Sequence, residues 1–137
     1  MNIAITLPHR FVQAIIDGEK TIEMRKSYPK HCYAGEDGFF VIEKGTDNII
    51  CWCRVNTFFV IDTSLDCLVE LQYDNWGSKI CVSRKEFFDY CKKSSEIYLW
   101  FIDKVKIFSK PLHKEDLIID KNPQSYCYTP LSYGESF

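Results

Sequence analysis

The stretch Gly18-Glu19-Lys20-Thr21-Ile22-Glu23-Met24-Arg25 places a lysine, a carboxylate and a guanidinium close together where a helical pattern gives way to an alternating one. The glycine lets the backbone turn sharply, and Glu23 and Arg25, two apart on a strand, project from one face and can line a common cavity. Regular alternation puts Lys20 on the other face, so it joins them only if it lies in the turn before the strand straightens. Partial burial would lower the lysine pKa and make it a proton acceptor, whereas a nearby Glu23 would keep it charged. The competing reading is a set of solvated cross-strand pairs on an exposed sheet face, the default for charged strand residues. On the functional reading Lys20 is half-exposed, so that Lys20→Ala costs within roughly 0.5 kcal/mol if no buried partner is stranded, whereas melting on that substitution would mark a solvated or structural ion pair.

Other reactive side chains are more dispersed. His9, His31 and His113 share no face that would suit a ligand set or an acid–base pair. The seven cysteines are odd in number and sit among aliphatic and aromatic neighbours, which predicts reduced core thiols; Cys51 and Cys53 face the same way along an extended segment but lack two further soft ligands for zinc. Neither a metal nor any other cofactor is expected. Glu86 and Asp89 read as helix-capping and solvated residues, and Phe58-Phe59, Trp100-Phe101 and the tyrosines of the tail as core.

These residues must be positioned by a short series of elements. Asn2 to Leu7 reads as a strand. Pro8 then opens a helix with Phe11, Ala14 and Ile15 on one stripe, closed by Gly18. From Thr21 the period is two, with Ile22 and Met24 inward and Thr21, Glu23 and Arg25 opposite, and Pro29 ends the strand. Phe39 to Glu43 and Ile49 to Ile61 form a hairpin across Lys44–Asn48. Ser64 and Asp66 are placed to cap a short helix through Leu71, which Asn75-Trp76-Gly77 breaks; Ser83 and Glu86 form a capping box for a second helix bearing Phe87, Tyr90 and Cys91. A long strand from Ile97 to Ile107 is expected to stop at Pro111. The tail from Asn122 to Pro130, with Tyr126, Tyr128 and Tyr133, is expected to pack on the body. The order is too sequential for a βαβ sheet and predicts an α+β fold, a small, mostly antiparallel β-barrel with flanking helices.

The chain has 137 residues, 46% of them hydrophobic, enough for one core and one domain spanning 1–137, and too apolar for general disorder. Its net charge of −2 excludes broad tracking along a polyanion, so any nucleic acid must meet a pocket or a local basic patch. No apolar run is long enough to cross a membrane, and MNIAITLPHR has neither the basic start nor the cleavage site of a signal peptide, so a cytoplasmic protein is expected. The oligomeric state is not legible, a monomer being the default.

Ile3-Ala4-Ile5 followed by Phe11 to Arg25, with the spacing Gly18-x-Lys20-x-x-Glu23-x-Arg25, resembles the opening of the ASCH domain, a member of the PUA-like superfamily. Val82 to Tyr90 resembles its second helix, Tyr98 to Leu117 its closing strand, and Pro123-Gln124-Ser125-Tyr126 a tail element of many members. The resemblance implies a PUA-like β-barrel whose cleft bears Lys20, Glu23 and Arg25, with RNA or a nucleoside- or nucleotide-like ligand as partner. Arg25 and Lys20 would hold phosphate or carbonyl oxygens, Glu23 would accept from a base amino group, Glu86, Gln124, Ser125 and Tyr126 would add contacts, and Tyr126 or Trp100 would stack on the base. Some small members are amidohydrolases of N4-acetylcytidine and others are associated with RNA cleavage. An enzyme of that kind would use Lys20 as proton shuttle and Glu23 as base toward water. Lys20 matches the hydrolase lysine, Glu23 stands where that subgroup has a threonine nucleophile, and its glutamate maps to either Glu86 or Glu70. A third class, a protein-binding adaptor, would use an apolar surface patch instead.

Overall fold

The apolar run that opens the chain is buried on both faces, which is why it does not alternate. In β1 (Asn2–Leu7) the side chains of Ile3, Ile5 and Leu7 enter one core with Phe39, Val41, Cys51, Cys53 and Trp100, while Ala4 enters a second with Phe40, Ile42, Ile49 and Trp52. The computed structural model describes residues 1–119 and 121–131; Tyr133 lies outside them. After β1 come α1 (His9–Ile16), β2 (Ile22–Arg25), β3 (Gly38–Glu43), β4 (Asn48–Asp62), α2 (Asp66–Ile80), α3 (Arg84–Cys91), β5 (Glu96–His113), a single 3-10 turn (Lys114–Leu117) and β6 (Tyr126–Thr129).

The fold is α+β, but its sheet is mixed and open rather than a closed antiparallel barrel. The strand order is β2-β5-β4-β3-β1-β6, and β1 runs parallel to β3 because the chain between them is long enough to cross over through α1, β2 and a loop. Among the described residues the edges β2 and β6 share no ladder. A side chain spans them instead: Arg25 Nη1 donates to the carbonyl oxygen of Ser125, just before β6, at 3.0 Å. The tail does pack on the body, β6 pairing with Asn2–Ile5 of β1.

Three local expectations are overturned. The helix expected to break at Asn75-Trp76-Gly77 continues to Ile80, and its N-cap is Leu65, without a side-chain cap; the Ser64 hydroxyl turns back to Asp62. Gly77 is tolerated mid-helix because the Tyr73 ring occupies the space its side chain would need, a Cβ at this position falling 2.5 Å from that ring. Tyr73 is itself packed against Phe87 and Phe88, so it cannot swing away freely. Gly77→Ala should therefore destabilise the protein by roughly 1–3 kcal/mol despite alanine's better helix propensity, and urea titration will measure it. Nor does Pro111 end β5. It sits in a bulge between the pairs Cys51↔Ile107 and Ile49↔Leu112, where a missing N–H costs no ladder bond, and pairing resumes to His113. Finally, Phe59 is not core: it is 42% exposed on the outer face of β4. The Ser83–Glu86 capping box forms as expected.

All seven cysteines are free thiols, four of them (Cys32, Cys51, Cys53 and Cys91) buried and Cys67 exposed. Burial pushes the Cys32 thiol up to about 12 and Cys91 up to about 11. A disulfide-exchange reagent at pH 8 should modify Cys67 first in the native protein and reach Cys51 and Cys53 only on unfolding, with seven equivalents consumed in denaturant. Fewer than seven would overturn the reading of reduced structural thiols.

Candidate functional site

The corner after α1 is built by its backbone. Gly18 adopts φ 78°, and the amides of both Glu19 and Lys20 donate to Ala14 O, at 2.9 and 3.0 Å. Thr21 N then donates to Lys79 O at 2.9 Å, which pins the corner to the last turn of α2. Lys20 thus lies before β2 straightens, and its side chain turns inward: the residue is only 2% exposed, not half-exposed. Its Nζ donates to Ile22 O at 2.9 Å and Ile80 O at 2.7 Å and lies 3.4 Å from Glu23 Oε1. Three acceptors therefore surround the three protons of the ammonium. Ile80 O is one of the carbonyls left orphaned at the C-terminus of α2, where the helix dipole favours a cation. The Phe11 ring covers the ammonium further, with Nζ 4.6 Å from its centroid.

Glu23 is 5% exposed and held from two sides, since Arg25 Nε donates to its other oxygen at 2.7 Å. Burial alone would raise the Glu23 pKa, yet the charges of Lys20 and Arg25 together outweigh it and hold the carboxyl below its ordinary value. For Lys20 burial is the largest influence and lowers the pKa, with Glu23 opposing it in part. The three residues form one row, cation–anion–cation, with Lys20 and Glu23 buried and Arg25 partly exposed at its end.

Beside that row opens a cavity of about 500 Å³, within the range of small-molecule sites. Its walls come from the end of β1 (Thr6, Leu7), the start of α1 (Arg10, Phe11), β2 (Glu23, Met24, Arg25) and α3 (Glu86, Asp89, Tyr90). Glu86 stands at this wall, its carboxylate accepting from Ser83 N at 2.9 Å and paired with Arg10, and these hydrogen bonds hold its pKa at about 2. Glu70, the alternative position, instead pairs with Arg84 and is not among the residues lining the cavity.

The tail residues are less involved. Ser125 touches Arg25 through its backbone oxygen only, Gln124 is exposed, Tyr126 is half-buried edge-on to Tyr128 with centroids 5.8 Å apart, and none of the three lines the cavity. Trp100 is fully buried with its indole N–H donated to Ser27 O, so it offers no face to a base. The aromatic rings on the cavity wall are Phe11 and Tyr90, and no feature of the sequence marks either as a stacking ring. Among the described residues no cluster of three or more His, Cys, Asp or Glu could hold a metal ion, and no helix is long and apolar enough to cross a membrane.

No family model and no curated protein matches the chain. Solved structures do. The crystal structure of the ASCH protein of Zymomonas mobilis superposes with a TM-score of 0.72 at 18% identity, covering 93% of this chain and 86% of that one. A serine-to-alanine variant of the same protein superposes with a TM-score of 0.74 at 17% identity, covering 93% and 87%. At this level of identity the likeness is one of fold, and it extends over nearly the whole of both chains. The chain has the fold of the ASCH domain, to which its Lys20–Glu23–Arg25 spacing had already pointed.

Proposed function

We propose that the chain is a binding module for RNA or for a nucleoside-like ligand, which enters the cavity beside Lys20, Glu23 and Arg25. The observation that carries this reading is the cavity itself: about 500 Å³ of space bordered by a row of three charged side chains, two of them buried and Arg25 partly so, and by two aromatic rings. Arg25 spends Nε on Glu23 and Nη1 on Ser125; among the described residues its Nη2 has no acceptor, which leaves it for a ligand oxygen. Lys93 also borders the cavity and supplies positive charge toward a phosphate, while Arg10 on the same wall is paired with Glu86. Tyr90, half-buried on α3, takes the stacking role that the sequence suggests for Tyr126 or Trp100.

Binding is favoured over catalysis because the candidate catalytic groups are already engaged. Lys20 has an acceptor for each proton, so it acts as a fixed charge rather than a shuttle, and each Glu23 oxygen faces a cation. Isothermal titration with cytidine, N4-acetylcytidine and a short single-stranded RNA should give modest affinity with a shallow salt dependence. Tight binding of duplex DNA with a steep salt slope would sink this reading. Chromatography of N4-acetylcytidine after prolonged incubation tests the enzyme alternative; release of cytidine at rates abolished by Glu23→Gln would establish a hydrolase instead. Tyr90→Ala should weaken nucleoside binding about tenfold, stacking on an aromatic ring contributing roughly 1–3 kcal/mol, with no comparable effect from Tyr126→Ala.

A further inference from the structure

Beyond Arg25 the charged row runs into a shelf of aromatic rings. On the β2–β5 ladder Glu23 stands opposite Trp100 and Arg25 opposite Tyr98, and on the β4–β5 ladder Phe58 stands opposite Trp100 and Val60 opposite Tyr98. Directly opposed residues share a face of the sheet, so the face that carries Glu23 and Arg25 carries these apolar side chains beside them. The contacts are continuous. Arg25 Cζ lies 5.8 Å from the centroid of the Trp100 ring, which meets Phe58 edge-on at 5.8 Å. Tyr28, on the loop after β2, packs on the outer side with its centroid 5.5 Å from that of Phe58 and 5.1 Å from that of Tyr98. Trp100 is buried, but Tyr28 is 39% and Val60 47% exposed.

The backbone on either side of Tyr28 is pinned. Ser27 O accepts from the Trp100 indole N–H at 3.2 Å, Pro29 is buried, and Pro29 O accepts from Cys32 N at 3.1 Å. A ring held in this way has little freedom left to lose on binding. The charge of the loop differs from that of the whole chain. From Arg25 to Gly35 there are three cations, Arg25, Lys26 and Lys30, and no acidic residue, although the net charge of the chain is −2. Lys26 Nζ lies 5.7 Å from the centroid of Tyr90, the ring on the cavity wall. The next opposed pair on the shelf face beyond Val60 and Tyr98 is Asp62 and Glu96. A phosphate is therefore favoured on the side of Lys26 and Lys30 and repelled at the far end.

We propose that Tyr28, backed by Phe58 and Tyr98, stacks on the nucleotide next to the one in the cavity, with Arg25, Lys26 and Lys30 toward the phosphate between them. The ligand is then a single-stranded oligonucleotide, not a free nucleoside. This rests on the binding reading above and selects its ligand class. A protein partner would meet the same rings, but three cations without an acid among them, on a path of contacts leading from the cavity, suit a polyanion whose bases stack.

Isothermal titration with cytidine and with the RNA tetracytidylate tests the shelf. The tetramer should bind wild-type protein at least about tenfold more tightly than cytidine, Tyr28→Ala should remove that factor without changing cytidine binding, and Tyr28→Trp should retain it. Lys30→Ala should lower the logarithmic salt slope of tetramer binding by about 0.7, the loss of one phosphate contact. In wild-type protein the tetramer, and not cytidine, should move the Tyr28 ring proton resonances upfield, a readout independent of any variant. Tetradeoxycytidylate bound at equal strength would support the shelf and show that the sugar is not read. Equal affinity for cytidine and the tetramer, or a tight tetramer that leaves the Tyr28 resonances unmoved, would overturn the inference and leave the proposed function standing. Binding of neither would remove both. Self-association abolished by Tyr28→Ala, with the tetramer no tighter than cytidine, would show a contact between copies of this chain and overturn the nucleotide role.

Discussion

Lys20→Met should destabilise the protein by about 3–5 kcal/mol and lower its melting temperature by roughly 10 °C or more. Methionine keeps the length and the apolar stem of the lysine but removes three donors at once. Glu23 then remains buried with only Arg25 beside it, and the carbonyls of Ile22 and Ile80 lose their partner in a place that water reaches poorly. A surface lysine would cost a tenth of this, so urea titration decides between the buried row and a solvated one. A loss below about 1 kcal/mol would mean that the side chain is solvated after all. The double variant Lys20→Met/Glu23→Gln supplies the control. If the two groups stabilise each other, its cost should be smaller than the sum of the single losses by 1 kcal/mol or more.

That expectation reverses the one drawn from sequence, and the reason lies in which interactions are local. The row itself was legible: Gly18, the two-residue spacing of Glu23 and Arg25, and a lysine in the turn are all short-range features, and the fold sets them as their spacing suggests. Burial was not legible, because one of the groups that enclose Lys20 comes from a remote part of the chain. Its second acceptor, Ile80 O, is 60 residues away at the end of a helix whose sequence pattern stops short of it. Asn75-Trp76-Gly77 reads as a break because helix propensity takes no account of the Tyr73 ring that fills the space above Gly77. The same limit applies to the sheet. Alternation and turn residues gave the strands and the hairpin, but closure depends on whether β2 and β6 meet, and among the described residues they share no ladder, the Arg25 side chain reaching Ser125 O across the gap. Phe11 and Tyr90 are not legible as cavity walls, since a ring on a helical stripe has the same sequence pattern whether it faces core or cleft.

Glu23→Gln should produce a loss of stability that shrinks as pH rises. The substitution is nearly isosteric, so its cost is electrostatic: two buried or half-buried cations, Lys20 and Arg25, lose the anion between them. In the wild type Glu23 contributes stability that is present above the ordinary carboxyl value of 4.5 and is lost only as pH falls through its lower folded value. Lys20 works in the same sense with pH. Burial lowers its folded pKa below the ordinary 10.5, so between those two values the unfolded chain binds more protons and stability climbs with pH. Removing Glu23 takes away the charge that opposes this burial and leaves Arg25 to repel the ammonium, so the Lys20 window opens downward toward neutral pH. The variant should therefore lie roughly 3 kcal/mol below wild type at pH 6 and recover up to about 1.4 kcal/mol for each pH unit within that window. Urea titrations at pH 6, 7.5 and 9 follow the difference directly. A deficit that stays constant across the three would assign the cost to altered packing and leave the charge of Glu23 without a structural part; a converging pair of curves would show that the carboxylate is what keeps Lys20 ionised in the interior beside the cavity, and that a ligand bringing its own negative charge to Arg25 must do so against an anion already in place.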